Sequence, residues 1–358
     1  MDKLKTEYVK VDPEKIDQVI LKKAGVLLRR GEVVAFPTET VYGLGANALD
    51  PDAVQKIFLA KGRPNDNPLI VHVADSAQLR PLVKGISPKA HHLIHDFWPG
   101  PLTLIFPKSD LVPKEVTAGL NTVAVRMPKH PVALQLIKEA GVPIAAPSAN
   151  TSGLPSPTEG KHVLADLKGK VPLIIDGGKT EVGLESTVID LTVEPPLILR
   201  PGGITLEEIK ESIGKAAFDP GLSNNPDLGN NEIPRSPGMK YTHYSPEADV
   251  FIINGPEEDR ADKVITVSHR LTKEGKKVAL LLSEETGREV GGKVSPCYFE
   301  VLGSKNNLSL VAHRLFSSLR HADLHGADIV LIEAFSDQGI GAAVMNRIRK
   351  AAGNQVIN

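Results

Sequence analysis

The sequence predicts a two-domain α/β protein: an open, twisted, mixed sheet flanked by helices, followed by a smaller α/β domain. Three observations carry this. First, short apolar runs such as Val33–Phe36, Leu69–Val73 and Leu102–Phe106 alternate with segments whose apolar residues recur at helical spacing. Second, the chain has 358 residues, more than the ~250–300 at which single cores stop growing. Third, residues 215–247 have no apolar period and are rich in Pro, Gly, Asn and Ser, and beyond them the alternation starts again. The expected organisation is a catalytic domain over residues 1–214, a linker over 215–247 and a C-terminal domain over 248–358.

The elements follow in order. Asp12-Pro13 offers an N-cap and a first-turn proline for a helix whose apolar face runs Ile16, Val19, Ile20, Ala24, Leu27, Leu28 and stops at Gly31. Val33–Phe36 is a buried strand. Pro51–Ala60 and Pro88–Phe97 are helices, with strands at Leu69–Val73, Leu102–Phe106 and Thr122–Met127. Pro131 opens a helix that Gly141 ends. Strands recur at Ile144–Ala146, Leu173–Ile175, Ser186–Leu191 and Leu197–Leu199. Thr205 and Glu208 form a capping box for a helix ending near Gly214. Beyond the linker, strands near Val250, Val278, Tyr298 and Asp328 alternate with helices, a mostly parallel layer.

Composition excludes several classes. Lys and Arg total 42 against 43 for Asp and Glu, so the chain is not a simple cationic nucleic-acid binder. Only 4% of residues are aromatic, too few for a base-stacking sheet. A single cysteine, Cys297, excludes internal disulfides and multi-cysteine zinc sites. It reads as a small buried hydrophobe in a strand. No apolar run approaches membrane-spanning length and no signal peptide is visible, so the expected setting is the cytoplasm.

Several motifs fail. Gly178-Lys179-Thr180 lacks the glycine a phosphate loop needs five residues before it, where Leu173 stands. Gly43-Leu44-Gly45 does not open a helix, as a dinucleotide fingerprint must. His91, His92 and His95 share a helix without the glutamate of a zinc protease, and read as a solvated face.

Four segments hold. Pro37–Gly45 (PTETVYGLG) reads as a polar loop after a strand, with Thr38, Thr40 and Glu39 as ligating groups and glycines for close backbone approach. Lys61-Gly62-Arg63-Pro64 places two cations past a helix end, where they can straddle a polyphosphate; Asn67 and His72 follow. Pro147–Gly153 ends a strand with small polar donors, where α/β folds place ligands. Glu185–Asp190 precedes Arg200-Pro201-Gly202; Arg126 lies in a predicted core strand, and a buried arginine, there or at Arg200, wants an anion. With no nucleophile and no metal cage, the set suits a polyphosphate and a small zwitterion, with catalysis through positioning and charge stabilisation.

In order and spacing over residues 14–203, these segments resemble the YrdC-type L-threonylcarbamoyladenylate synthases. The stretch Ser236–Pro246 (SPGMKYTHYSP) is similar to the linker of the long, two-domain branch, and residues 249–358 to its Rossmann-like domain. The resemblance implies an enzyme, a nucleotidyltransferase, that joins L-threonine, bicarbonate or CO2, and ATP into threonylcarbamoyl-AMP and pyrophosphate. Other proteins would then transfer the group to the tRNA adenosine beside the anticodon, without direct RNA gripping by this chain. The resemblance further implies that Lys61 and Arg63 act on the triphosphate, with Mg2+ carried on ATP. Asn67, Thr122, Ser148, Asn150, Ser156, Arg200 and Ser236 would contact ATP. Thr40, His72, Arg126 and Ser186 would surround threonine, with Arg126 facing its carboxylate. The linker is the expected lid, with Tyr241 and Tyr244 over the pocket. Carbamoyltransferases of hydrogenase maturation share a similar module but add cysteine-rich zinc segments, which one cysteine argues against. An RNA- or ribosome-associated binding module is the other alternative; the net charge of −1 weighs against it.

Overall fold

Residues 4–222, 234–235 and 244–358 are described in the computed structural model. Eleven strands build the first sheet: β1 (Glu7–Lys10), β2 (Val34–Phe36), β3 (Gly43–Asn47), β4 (Ile70–His72), β5 (Leu102–Pro107), β6 (Thr122–Arg126), β7 (Ile144–Ala145), β8 (Leu173–Asp176), β9 (Thr187–Asp190), β10 (Leu197–Arg200) and β11 (Ala217–Phe218). Their order across the sheet is β1-β8-β2-β3-β7-β4-β6-β5-β9-β10-β11. Parallel pairs such as β4/β6 and β5/β9 mix with antiparallel pairs such as β2/β3 and β5/β6, which gives the expected open mixed sheet.

Strand alternation decides where a site can form. Val71, Val125, Leu104, Ile189 and Ile198 point to one face and join the main core with the helix residues Ile57, Phe58 and Leu93. Their neighbours Ile70, Ala124, Ile105, Val188 and Leu199 form a small patch on the other face. That second face continues into polar residues, described below.

Three sequence expectations are corrected. The first helix spans Gln18–Arg29, and Asp17 caps it by accepting the Val19 amide. Asp12 instead accepts the Glu14 amide in a local turn, so its side chain is used before any helix starts. Second, Gly43 and Gly45 lie in β3, not in a loop. A Cβ at Gly45 would stand 2.6 Å from Ile144 Cγ2 and 2.7 Å from Phe36 Cε1, so this glycine serves strand packing and not ligand approach. Third, Cys297 is half-buried and lies just before a strand, not within one. The helix Gly160–Leu167 and the edge strand β1 carry weak sequence signals; β1 alternates poorly, with both ends exposed. The expected helices at Pro51–Lys61, Pro88–Phe97 and Pro131–Ala140 are present, and His91, His92 and His95 face solvent. The Thr205–Glu208 capping box is formed in full.

By contacts the chain divides into two units. The larger takes residues 4–152, 157–181 and 185–222 with 234–235; the smaller takes Gly153–Ser156, Val182–Leu184 and residues 244–358. In the smaller unit β12 (Asp249–Ile253), β13 (Val278–Ser283), β14 (Tyr298–Gly303), β15 (Ile329–Glu333) and β16 (Val356–Ile357) form an all-parallel sheet in the order β14-β13-β15-β12-β16. Its helices supply the crossovers that parallel strands require.

Candidate active site

The polar face of the first sheet is organised as a row. Cross-strand register aligns His72 with Arg126, Arg126 with Thr103, Thr103 with Val188, and Val188 with Arg200. Residues directly opposite in a ladder share a face, so His72, Arg126 and Thr103 stand side by side. Thr122, Ala124 and Arg126 alternate along β6 on that same face.

Arg126 is buried, and each of its three nitrogens is engaged. Nε donates to the Gly100 carbonyl at 3.1 Å, Nη1 donates to Thr40 Oγ1 at 2.8 Å, and Nη2 lies 2.7 Å from Glu39 Oε1. Thr38 Oγ1 is 2.8 Å from Thr40 Oγ1 and donates to the Val41 carbonyl, which fixes the tight turn of the PTET segment. The expectation for Arg126 is an external carboxylate; the structure gives it an internal one, Glu39. Glu39 was visible in the motif, but nothing in sequence showed that it meets Arg126.

Arg200 performs a parallel task. Its Nε donates to the Ser186 carbonyl at 3.0 Å and its Nη2 to Ser186 Oγ at 3.0 Å, while Thr103 Oγ1 stands 2.8 Å from the same hydroxyl. Gly202 makes this possible. A Cβ there would fall 2.2 Å from the Thr187 nitrogen and 2.5 Å from the Glu185 carbonyl oxygen, so only glycine lets the Arg-Pro-Gly turn lie on the Glu185–Thr187 backbone. Thr103 was missed by sequence reading, although a threonine inside the apolar run Leu102–Phe106 was an available signal.

The Lys61 segment meets the Pro147–Asn150 segment. Lys61 is the last residue of its helix, not past its end as expected, and is 3% exposed. Its ammonium donates to the carbonyls of Ser148 and Asn150, the second at 2.6 Å. Ser148 Oγ donates to Asn150 Oδ1 at 2.5 Å. Gly62 takes a left-handed conformation (φ 61°) and ends the helix, turning Arg63 back so that its Nη2 donates to the carbonyl of Asn67 at 3.2 Å. The Leu44 amide donates to the Pro147 carbonyl at 2.9 Å and the Ala149 amide to the Tyr42 carbonyl at 2.8 Å. These bonds zip the PTETVYGLG segment to the PSAN segment.

Electrostatics follow from burial. His72 is pushed down to about 3, first by loss of solvent and then by the Arg126 charge, so it is neutral at physiological pH. The Tyr42 hydroxyl is pushed above the ordinary phenol range by burial and by Asp176, to which it donates at 2.9 Å. Asn67 is 1% exposed, yet among the described residues neither its side-chain amide nitrogen nor oxygen has a hydrogen-bond partner.

The structure thus brings Thr40, Arg126, His72, Ser186 and Arg200 to one sheet face, and joins Lys61, Ser148 and Asn150 in one cluster beside Arg63 and Asn67. Ser156 is buried in a short segment that groups with the smaller unit. Ser236 and Tyr241 lie outside the described residues. Tyr244 is not free to cover a pocket: its ring lies 5.1 Å from that of Phe316, with the Arg347 guanidinium 5.6 Å above it. Among the described residues no group of three or more His, Cys, Asp or Glu could hold a metal ion, and no helix is long and apolar enough to cross a membrane.

Comparison with known proteins agrees with this geometry. Residues 26–202 match a family model described as Telomere recombination, and residues 204–353 match one described as Threonylcarbamoyl-AMP synthase, C-terminal domain. The threonylcarbamoyl-AMP synthase of Pyrococcus abyssi is 48% identical over 344 residues, 96% of this chain and 97% of that protein. The Bacillus subtilis threonylcarbamoyl-AMP synthase is 50% identical over 338 residues, 94% of each.

The chain belongs to the threonylcarbamoyl-AMP synthase family.

The crystal structure of P. abyssi Sua5 complexed with L-threonine superposes with a TM-score of 0.91 at 48% identity, covering 98% of this chain and 99% of that one. The likeness to the synthases therefore runs through both domains. The polar row and the Lys61 cluster both fall within the first matched segment, residues 26–202.

Proposed function

We propose that this synthase binds L-threonine on the polar row and ATP beside it, and joins them with bicarbonate into threonylcarbamoyl-AMP and pyrophosphate for the modification of tRNA. The observation that carries this reading is the row itself. Two buried guanidiniums, Arg126 and Arg200, each hold a side-chain hydroxyl on one sheet face, beside a neutral His72. Such a surface offers a cation to a carboxylate and fixed hydroxyls to a small polar substrate.

The chemistry asks little of a general base at the adenylation step, because the N-carboxy group is already an anion. Its oxygen attacks the α-phosphorus, and the pyrophosphate leaves. Lys61, Arg63 and Arg200 would offset the phosphate charge, and Thr122, Asn67, Ser148, Asn150 and Ser156 would orient the nucleotide. Cationic and hydroxyl donors fit a triphosphate whose Mg2+ is held by phosphate oxygens, with the metal supplying further charge neutralisation. Burial of Arg126, Thr40 and Ser186 supports a site that shields the labile carboxy-threonine from water.

The test is substrate omission. Purified protein should release pyrophosphate only when threonine, bicarbonate and ATP are all present. Release without threonine, or none with all three, overturns the reading. Chelation of Mg2+ should abolish turnover, and transfer proteins supplied with tRNA should consume the product.

A further inference from the structure

We infer that Glu39 is a further catalytic residue of this site: it receives the α-ammonium of L-threonine and takes its proton as the amine attacks bicarbonate. The inference rests on the reading that threonine occupies the polar row.

Glu39 is 3% exposed. Its Oε1 lies 2.7 Å from Arg126 Nη2 as an ion pair, and among the described residues neither buried carboxylate oxygen accepts a hydrogen bond. A buried carboxylate oxygen without a donor is costly, and its natural complement is a cationic donor. Glu39 is followed directly by Thr40, whose hydroxyl accepts from Arg126, so the acid is held at the same guanidinium that orders the threonine side of the site. Glu39 is the acid that the fold sets against Arg126. A zwitterion needs both signs of charge. Arg126 supplies the positive partner and Glu39 the negative one, and their own contact sets the spacing between the two.

The step balances as follows. The threonine ammonium gives one proton to Glu39 Oε2. The freed nitrogen lone pair forms the N–C bond with the bicarbonate carbon, and the C–OH bond breaks. The hydroxide leaves with the second nitrogen proton as water. The product is the N-carboxylate, and Glu39 returns its proton to solvent. No oxidant or reductant is required.

Two measurements test this. For the wild type, L-threonine should bind more tightly by about 10-fold or more than (2S,3R)-2,3-dihydroxybutanoate, which has a hydroxyl in place of the ammonium. Equal affinity overturns the proposal, and this holds even if no variant can be purified. For Glu39→Gln, which keeps shape but cannot take a proton, kcat/KM for threonine should fall by about 100-fold or more, with KM for ATP within threefold. Its preference for threonine over the hydroxy acid should vanish. A Glu39→Gln enzyme within threefold of wild type in both respects overturns the proposal. Glu39→Asp should recover part of the rate, and recovery by Asp with none by Gln separates proton transfer from packing. If the wild type itself gives no threonine-dependent pyrophosphate, the functional reading fails; if only the variants behave like wild type, Glu39 alone fails.

Discussion

The Lys61 ammonium lies 2.6 Å from the backbone carbonyl oxygen of Asn150, 89 positions further along the chain. This bond, with its partner to the Ser148 carbonyl, ties the end of the Pro51–Lys61 helix to the Ser148–Asn150 segment. A lysine in this setting is a strut for the loop that faces it.

Replacing Lys61 by Met should therefore cost turnover and stability together. A buried carbonyl, that of Asn150, and a half-buried one, that of Ser148, lose their donor, at up to about 1–3 kcal/mol each. Pyrophosphate release should drop by about 100-fold or more, and thermal melting should shift down by several degrees. Lys61→Arg should not restore the rate, since a planar fork cannot reproduce a point donor between two carbonyls. A stable, active Lys61→Met enzyme would contradict the strut.

Asn67 predicts the opposite balance. Its buried side-chain amide has no partner among the described residues, so Asn67→Leu should leave the melting temperature of the free enzyme unchanged or raise it. The same change should weaken ATP binding by about 10-fold, close to 1.4 kcal/mol. Melting curves with and without ATP measure both effects at once.

His72 gives a pH signature. Its pKa falls from the ordinary 6.5 to about 3 on folding, chiefly through burial. Between those values the unfolded chain holds a proton that the native protein refuses, so stability is lost as pH falls from 6.5 towards 3. The slope from this residue is about 1.4 kcal/mol per pH unit. His72→Gln, which does not titrate, should lose about 2 kcal/mol less than wild type on moving from pH 7.5 to 5. Urea unfolding at both pH values checks it, and parallel losses would show that His72 is not the source.

Gly25 predicts a purely structural defect. A Cβ there would sit 2.7 Å from the carbonyl carbon and oxygen of Glu139, where the Gln18–Arg29 helix crosses the end of the Pro131–Ala140 helix. Backbone cannot swing aside as a side chain does, so Gly25→Ala should destabilise by about 1–3 kcal/mol. Its kcat and KM values should match wild type below the melting transition.

Much of this site was legible in the sequence because its ingredients are local. The cations of Lys61-Gly62-Arg63, the hydroxyls of Pro37–Tyr42 and the Ser148–Asn150 pair sit in short segments at strand and helix ends, where turn chemistry is visible from one sequence. Gly45 was misread for a reason of the same kind. A glycine seen alone signals permissive backbone, and only the neighbouring Ile144 and Phe36 show that the need was for space.

By itself the sequence determined the alternation of strands and helices and the residue types available to the site, since these depend on periodicity, capping and composition. Only the tertiary structure decided that Arg126 is shared between Glu39 and Thr40, that Arg200 and Thr103 converge on Ser186, and that His72 is neutral. Those facts depend on strand order and register, which bring β4, β5, β6 and β9 side by side from distant parts of the chain. Register is fixed by burial of the opposite, apolar face, a property of the whole sheet that no single segment contains.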